Sequence, residues 1–402
     1  MSGNDIALAV FDTFAGLRKG KPNQRSNGKQ EWTVLASVVA IKEDEDNKCI
    51  PITLATGVKT IPEKARMYSA GTIVHDLHAE ILALRLFNLY LLEEAMGFPG
   101  EDITETSANG MRRIKDGVKL ALLITEPPCG DASMTYVRDK LDDSTDWDDK
   151  NTRAEKNPKE CESIYKDEHH DKEDKLNYVE RPTKKFKLDL STLLHRGRHL
   201  INQVGIVRTK PGRKDSPVSY SKSCSDKLCL KQLTGITNAF TSLFYENTFL
   251  DFLVVSHKKF HSTDFDRCFY ERFAKKLPQC HPLQTLTYDC DFEYSQDSDK
   301  VASPLSILHI SSLKLTQVLS NGVKDGAFRK NKPAQEHAQS IVCNQALIRR
   351  ANPLEWNIKH YKTYQAMKTD NIERQALKKK GRDVLTKGEL WIATTKDDFD
   401  II

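Results

Sequence analysis

The chain has no long hydrophobic run. No stretch approaches the roughly 20 apolar residues that span a bilayer, and Met1-Ser2-Gly3-Asn4-Asp5 lacks the basic and apolar regions of a secretory signal. An intracellular protein is expected; Lys184-Lys185 and Lys378-Lys379-Lys380 are too short to choose between nucleus and cytoplasm. A disulfide framework is missing too. The nine cysteines are an odd number, and Cys49, Cys129, Cys161, Cys224, Cys229, Cys268, Cys280, Cys290 and Cys343 are irregularly spaced. That is the pattern of free thiols, a few of them put to chemical use. Nor is there a large charge imbalance. Lys and Arg number 61 against 56 Asp and Glu, a net +5, which permits a polyanionic partner without demanding one: a phosphate-binding face needs clustered cations. No internal repeat and no clean domain boundary stand out.

What is present fits a soluble globular chain. With 402 residues, 39% hydrophobic and 29% charged, there is ample length for a core. Residues 5–18 carry apolar side chains at helical spacing and predict a first helix. Residues 32–41 and 51–57 read as an antiparallel strand pair joined by an acidic turn at Asp46-Asn47. Residues 118–125 are nearly continuously apolar, as in a strand covered on both faces. Further on, 249–256 reads as a buried strand, 264–276 as a helix and 307–310 as a short strand, and the Lys- and Tyr-rich last fifty residues read as helical. Residues 141–187 carry dense mixed charge with few aliphatics and are expected to be a solvated, flexible insertion.

Chemistry gathers around Val74-His75-Asp76-Leu77-His78-Ala79-Glu80. The good helix formers that follow, Ile81 to Leu92, place His78 and Glu80 in a helix's first turn, where backbone N–H groups favour an anion. His-x-Glu alone is a weak signal, because a histidine at a helix start more often caps or packs. Its partner is Cys129 in Pro127-Pro128-Cys129-Gly130-Asp131-Ala132, between the 118–125 strand and an expected helix, where N-terminal N–H groups stabilise a thiolate. His-x-Glu followed by Pro-Cys-x-x-Cys is the signature of zinc nucleobase deaminases, with the glutamate as acid and base. Here the second cysteine is missing, since Ala132 stands in its place. A third ligand must come from elsewhere: Cys224 in Ser223-Cys224-Ser225-Asp226-Lys227 is the best candidate, Cys229 an alternative, and His195 or His199 outsiders.

These three segments in this order resemble the ADAR-type adenosine deaminase domain, over roughly residues 5–399. The resemblance implies a three-layer α/β/α fold of the cytidine-deaminase type, with a mixed sheet and a helical C-terminal extension, as one domain over residues 1–402. It implies zinc held by His78, Cys129 and Cys224, an activated water attacking C6 of adenine, and Glu80 as the proton shuttle. It further implies a buried inositol hexakisphosphate. The matching positions are Arg85, Lys227, Tyr364, Lys368, Trp391 and Asp397, with Asp76 and Lys210 relaying between cofactor and metal. Two departures qualify the match: Leu84 precedes Arg85 where the family has two arginines, and Asn344 stands where it has a lysine.

A third departure bears on substrate. Family members acting on duplexes carry a Gly-Glu-Gly loop that fills the gap left by the flipped base; the matching stretch here is Pro211-Gly212-Arg213-Lys214-Asp215. An anticodon-loop base is already unpaired and needs no wedge, and little chain precedes the core to hold a double-stranded RNA-binding domain. With Arg208-Thr209-Lys210-Pro211-Gly212-Arg213, this resembles the members that act on tRNA, implying inosine formation immediately 3′ of the anticodon of alanine tRNA. Lys59, Arg208 and Arg213 are the expected RNA contacts, and no obligate protein partner is evident. The competing readings are a catalytically silent zinc-containing tRNA-binding module and a deaminase of another RNA, free nucleosides or cytosine.

Overall fold

Alternating side chains on three central strands build a sheet that is buried on both sides. In β1 (Leu35–Lys42), Ala36, Val38 and Ala40 enter one core while Leu35, Val39 and Ile41 enter a second. β2 (Lys48–Thr56) divides in the same way between Ala55 and Leu54. In β5 (Val118–Ile124), Leu120, Leu122 and Ile124 oppose Ala121 and Leu123. This two-sided burial is what the unbroken apolar run of β5 requires. β1 pairs antiparallel with both β2 and β5, with a bulge at Val38/Val39. β5 continues in parallel to β6 (Phe252–Ser256) and then β7 (Gln284–Tyr288). On the other flank β2 pairs antiparallel with β8 (Leu305–Ile310), followed by β9 (Leu315–Ser320) and β10 (Val323–Lys324). The order is β7-β6-β5-β1-β2-β8-β9-β10, a mixed eight-stranded sheet. This computed structural model describes residues 1–140, 178–181, 184–187, 194–210, 212, 216–351 and 360–401.

Helices cover both faces. α1 (Gly3–Ala15) opens on a Ser2/Asp5 capping box and lays Ile6, Ala7, Val10 and Phe14 on one face. α2 (Ala79–Ala95) lies on the other, apolar nearly all round and correspondingly enclosed. α4 (Cys224–Thr234) joins that layer, and α7 (Ile372–Leu385), which follows the short α5 (Asn344–Arg350) and α6 (Tyr364–Asp370), packs against it: a Cβ on Gly381 would sit 2.7 Å from Leu230. The result is the expected α/β architecture with a mixed sheet and helices on both faces. No described helix is long and apolar enough to cross a membrane.

Local differences from expectation have identifiable causes. Residues 264–276 do not form one helix; a single α-turn at Ser262–Phe265 passes into a π-turn at Asp266–Glu271 and a 3₁₀ turn at Ala274–Lys276. β7 and β9 were not anticipated. Each is short and at best half-buried along most of its length, so its hydrophobic alternation is weak. The charged insertion expected at residues 141–187 lies largely outside the described residues; of it, only the backbones of Tyr178–Arg181 and Lys184–Lys187 are described, as an antiparallel hairpin.

Candidate metal centre and active site

Three separate pieces of chain converge beside β5. His78 ends β4 (Asp76–His78), which pairs antiparallel with β3 (Val58–Thr60), and it is the N-cap of α2. It therefore precedes the first helical turn rather than lying within it, and Glu80 follows inside that turn. The Ala79 amide donates to Gly57 O (3.0 Å), and a Cβ on Gly57 would lie 2.1 Å from Leu77 O. Only glycine lets the two strands close here. Cys129 leaves β5 ahead of a 3₁₀ turn (Asp131–Ser133) and the short α3 (Met134–Asp139). Cys224 is the first residue of α4, whose N-cap Ser223 accepts from the Asp226 amide.

The second and third pieces are joined tightly. Gly130 has φ +102°, and a Cβ there would meet Ser223 Oγ at 2.3 Å. Ser225 donates its amide to Cys129 O (3.0 Å) and its hydroxyl to Pro128 O (2.9 Å), and accepts from the Ala132 amide (3.1 Å). Below them, the buried Arg272 guanidinium spans Asp226 (2.9 Å) and Asp131 (3.5 Å), and Arg267 adds a second cation to Asp131 (3.3 Å). Each cysteine loop is thus held through an aspartate two residues beyond its cysteine. The sequence signals both aspartates but not the arginine that ties them, 46 residues beyond Asp226.

His78 Nδ1 stands 3.7 Å from Cys129 Sγ and 3.6 Å from Cys224 Sγ, and the three ligand atoms lie within 4.8 Å of one another. One histidine and two thiolates suit zinc in a site with an open position. Cys229 does not join them: its thiol faces Cys268 O at 3.2 Å. His195 and His199 stack on each other instead. Cys129 is held well below the usual thiol range by its hydrogen bond with Cys224, with Lys210 and His78 adding to the effect against burial. Glu80 is buried at 3% exposure, and no donor among the described residues holds its carboxylate.

Behind Cys224 runs a relay. Lys210 Nζ donates to Cys224 Sγ (3.0 Å) and to both oxygens of Asp76 (2.8 Å each). Asp76 also takes Lys227, whose ammonium reaches Ser221 Oγ (2.7 Å). Burial opposes the charge on Asp76, yet Lys210 and Lys227 hold its carboxyl well below the ordinary range.

Lys227 borders a chamber of half-buried and buried cations. Burial pushes Lys231 down to about 7, and Arg374, Lys378, Lys227 and Arg85 repel it further. Lys378 is likewise lowered to about 7 by burial, then by Arg374, Lys368 and Arg382. Lys222 falls to about 8 and Arg374 to about 10, in each case chiefly by burial. Of the expected members, Lys368 lies 5.9 Å from the Tyr364 ring, and Trp391 lies against Lys222 (5.2 Å) and Arg382 (5.4 Å). Arg85 donates to Val342 O and to Oδ1 of Asn344, the residue standing in for the family's lysine. Asp397 accepts from the Gly71 amide (2.7 Å) and Ser69 Oγ (3.1 Å) and lies 3.1 Å from His75 Nε2. Lys222, Lys231, Arg374, Lys378 and Arg382 were missed by sequence reasoning. The i, i+4 spacing of Arg374, Lys378 and Arg382 on α7 was the available signal.

The expected RNA contacts separate. Lys59 is exposed on β3, with its register partner Leu77 one residue before His78. Arg208 must be corrected. It is 1% exposed, and its guanidinium donates to the carbonyls of Gly197, His199, Leu200 and Gln203, so it braces a loop and reaches no phosphate. Arg213 lies outside the described residues.

Comparison with known proteins agrees with this geometry. The adenosine-deaminase (editase) domain matches residues 53–395. The chain belongs to the adenosine-deaminase (editase) domain family. With it the chain falls among the hydrolytic adenosine deaminases. It is similar to tRNA-specific adenosine deaminase 1 of Schizosaccharomyces pombe, 33% identical over 100% of this chain and 97% of that protein. Its similarity to the Saccharomyces cerevisiae protein of the same name is 31% over 98% and 94%. The mouse double-stranded RNA-specific editase B2 is 24% identical over 63% of this chain and 30% of its own length. Within the editase family, then, full-length similarity runs to proteins named for tRNA.

Proposed function

We propose that this chain hydrolytically deaminates adenosine to inosine in tRNA, at the position immediately 3′ of the anticodon of alanine tRNA. The observation that carries it is the His78, Cys129 and Cys224 cluster with the buried, unclaimed carboxylate of Glu80 two residues from its histidine. A structural metal site needs no such base, which argues against a silent binding module. The tRNA assignment is supported by the names of the full-length relatives and by the absence of a Gly-Glu-Gly wedge in the chain.

The donor set fits zinc, which would sit between His78, Cys129 and Cys224 and supply a water acidic enough to lose a proton near neutral pH. Glu80 takes that proton and delivers it to N1 of adenine as the water oxygen bonds to C6. It then takes the proton of the new C6 hydroxyl and passes it to the exocyclic amino group, so that the C6–N bond breaks, the C6 carbonyl of inosine forms and ammonia leaves. Lys210, between Cys224 and Asp76, holds positive charge next to the thiolate pair.

Inositol hexakisphosphate fits the second chamber. Eight cations, Arg85, Lys222, Lys227, Lys231, Lys368, Arg374, Lys378 and Arg382, repel one another there, an arrangement that is costly without a counter-charge. We take residues 1–402 as one domain, working inside the cell where its RNA substrate resides.

The test is incubation of purified protein with unmodified tRNA transcripts and a duplex RNA, reading inosine as A-to-G changes after reverse transcription. One change beside the anticodon of alanine tRNA, lost in Glu80→Ala, is the expected result. No change in any RNA with zinc present overturns the assignment.

A further inference from the structure

The loop after β10 is anchored where the ligand-bearing strand begins. Val74 donates its amide to Gly322 O (2.9 Å), and the Ala334 amide donates to Thr72 Oγ1 (2.9 Å). Val323, Ala334, Ala338 and Ile73 form a small apolar cluster, with Tyr68 and Ala327 against it. A Cβ on Gly322 would lie 2.3 Å from Val74 O, so the foot of the loop is pressed on the chain a few residues before His78.

What this fixed loop presents is exposed. Lys324, Phe328, Arg329, Lys330 and Lys332 all face solvent, and Phe328 is 40% exposed. None of the four cations forms an ion pair among the described residues. A single exposed aromatic is ordinary; one standing among unpaired cations is the composition of a single-stranded RNA platform, in which rings stack on bases and cations follow the backbone. Lys59, also exposed, is carried by the strand paired to the same 76–78 segment. The segment leading to His78 thus has a basic feature attached on both sides.

We propose that the 325–332 loop is an RNA-docking surface, in which Phe328 stacks on an unpaired base of the anticodon loop and Arg329, Lys330 and Lys332 hold flanking phosphates. The inference rests on the tRNA reading above. An acidic protein would use the cations but would leave the ring without a stacking partner, so RNA is the occupant.

The experiment measures kcat, KM and the salt dependence of binding for the full chain on unmodified tRNA. The variants are Phe328→Ala, Phe328→Tyr and the triple Arg329→Ala/Lys330→Ala/Lys332→Ala. Phe328→Ala is expected to raise KM roughly tenfold with kcat unchanged, and Phe328→Tyr to restore it. The triple variant flattens the logarithmic salt slope by about two to three. If wild type deaminates tRNA while KM and salt slope stay the same in all three variants, the docking surface is wrong and the tRNA reading stands. If wild type deaminates only duplex RNA, the substrate reading fails, and Phe328 loses the unpaired base on which the inference depends.

Discussion

Two arginine and lysine positions that look equivalent in sequence have opposite roles in the fold. Arg208 gives its guanidinium to four backbone carbonyls and is buried, whereas Lys59 points to solvent beside the metal-ligand strand. Arg208→Ala should therefore lower stability by about 1–3 kcal/mol through unsatisfied carbonyls, seen as a lower Tm, while the salt slope of tRNA binding stays fixed. Lys59→Ala should do the reverse, reducing that slope by about one with Tm unchanged; an unaltered slope removes Lys59 from the RNA contacts. Glu80 is a third case. Glu80→Gln keeps the shape of the site but cannot take up a proton, so turnover should fall by at least roughly 10²-fold. Zinc content, measured by atomic emission, should stay at the wild-type value, because Glu80 is not among the clustered donors. Loss of the metal in that variant would make Glu80 a ligand and end its role as the shuttle.

At the scale of elements, the metal-ligand pieces were legible because each carries its own punctuation. Pro127-Pro128 ends β5, Ser223 caps α4, and the helix formers after His78 announce α2. The way the pieces are held together was not. Arg272 directly follows a π-turn that no periodicity signals, yet it binds the aspartates of both cysteine loops from a 7% exposed position. The misreading of Arg208 has the same origin. Burial of a long cation depends on distant carbonyls, and a basic loop reads alike whether it faces RNA or its own chain. Strands β7 and β9 escaped because half-buried strands show little alternation. Arg272→Met would leave Asp131 and Asp226 in the interior with one partner fewer, and breaking a buried pair costs about 3–5 kcal/mol. The expected readout is a large fall in Tm together with weaker zinc retention against a chelator. A variant that unfolds at the wild-type temperature would show that the cysteine loops hold without the bridge.

At the scale of the whole molecule, the cation chamber joins α2, α4 and the C-terminal helices, so its charge state bears on how firmly the last fifty residues are held. Burial has lowered Lys231 and Lys378 to about 7 and Lys222 to about 8, against about 10.4 for lysine in an unfolded chain. Between about pH 7 and 10 the unfolded chain therefore binds more protons than the empty folded one, and stability of the empty protein should rise with pH across that window. A polyanion reverses the balance. Facing its phosphates, the three lysines keep their protons, the loaded fold and the unfolded chain hold similar numbers, and the rise disappears. Binding must then draw protons from solution, so affinity falls from pH 7 to pH 9. Thermal unfolding across this range, with and without added inositol hexakisphosphate, should show a gain in Tm at pH 7 that narrows toward pH 9, and calorimetry in buffers of different ionisation enthalpy should register proton uptake. A gain in Tm independent of pH, without proton uptake, would mean that these lysines are already charged in the empty chamber and that some other group neutralises them.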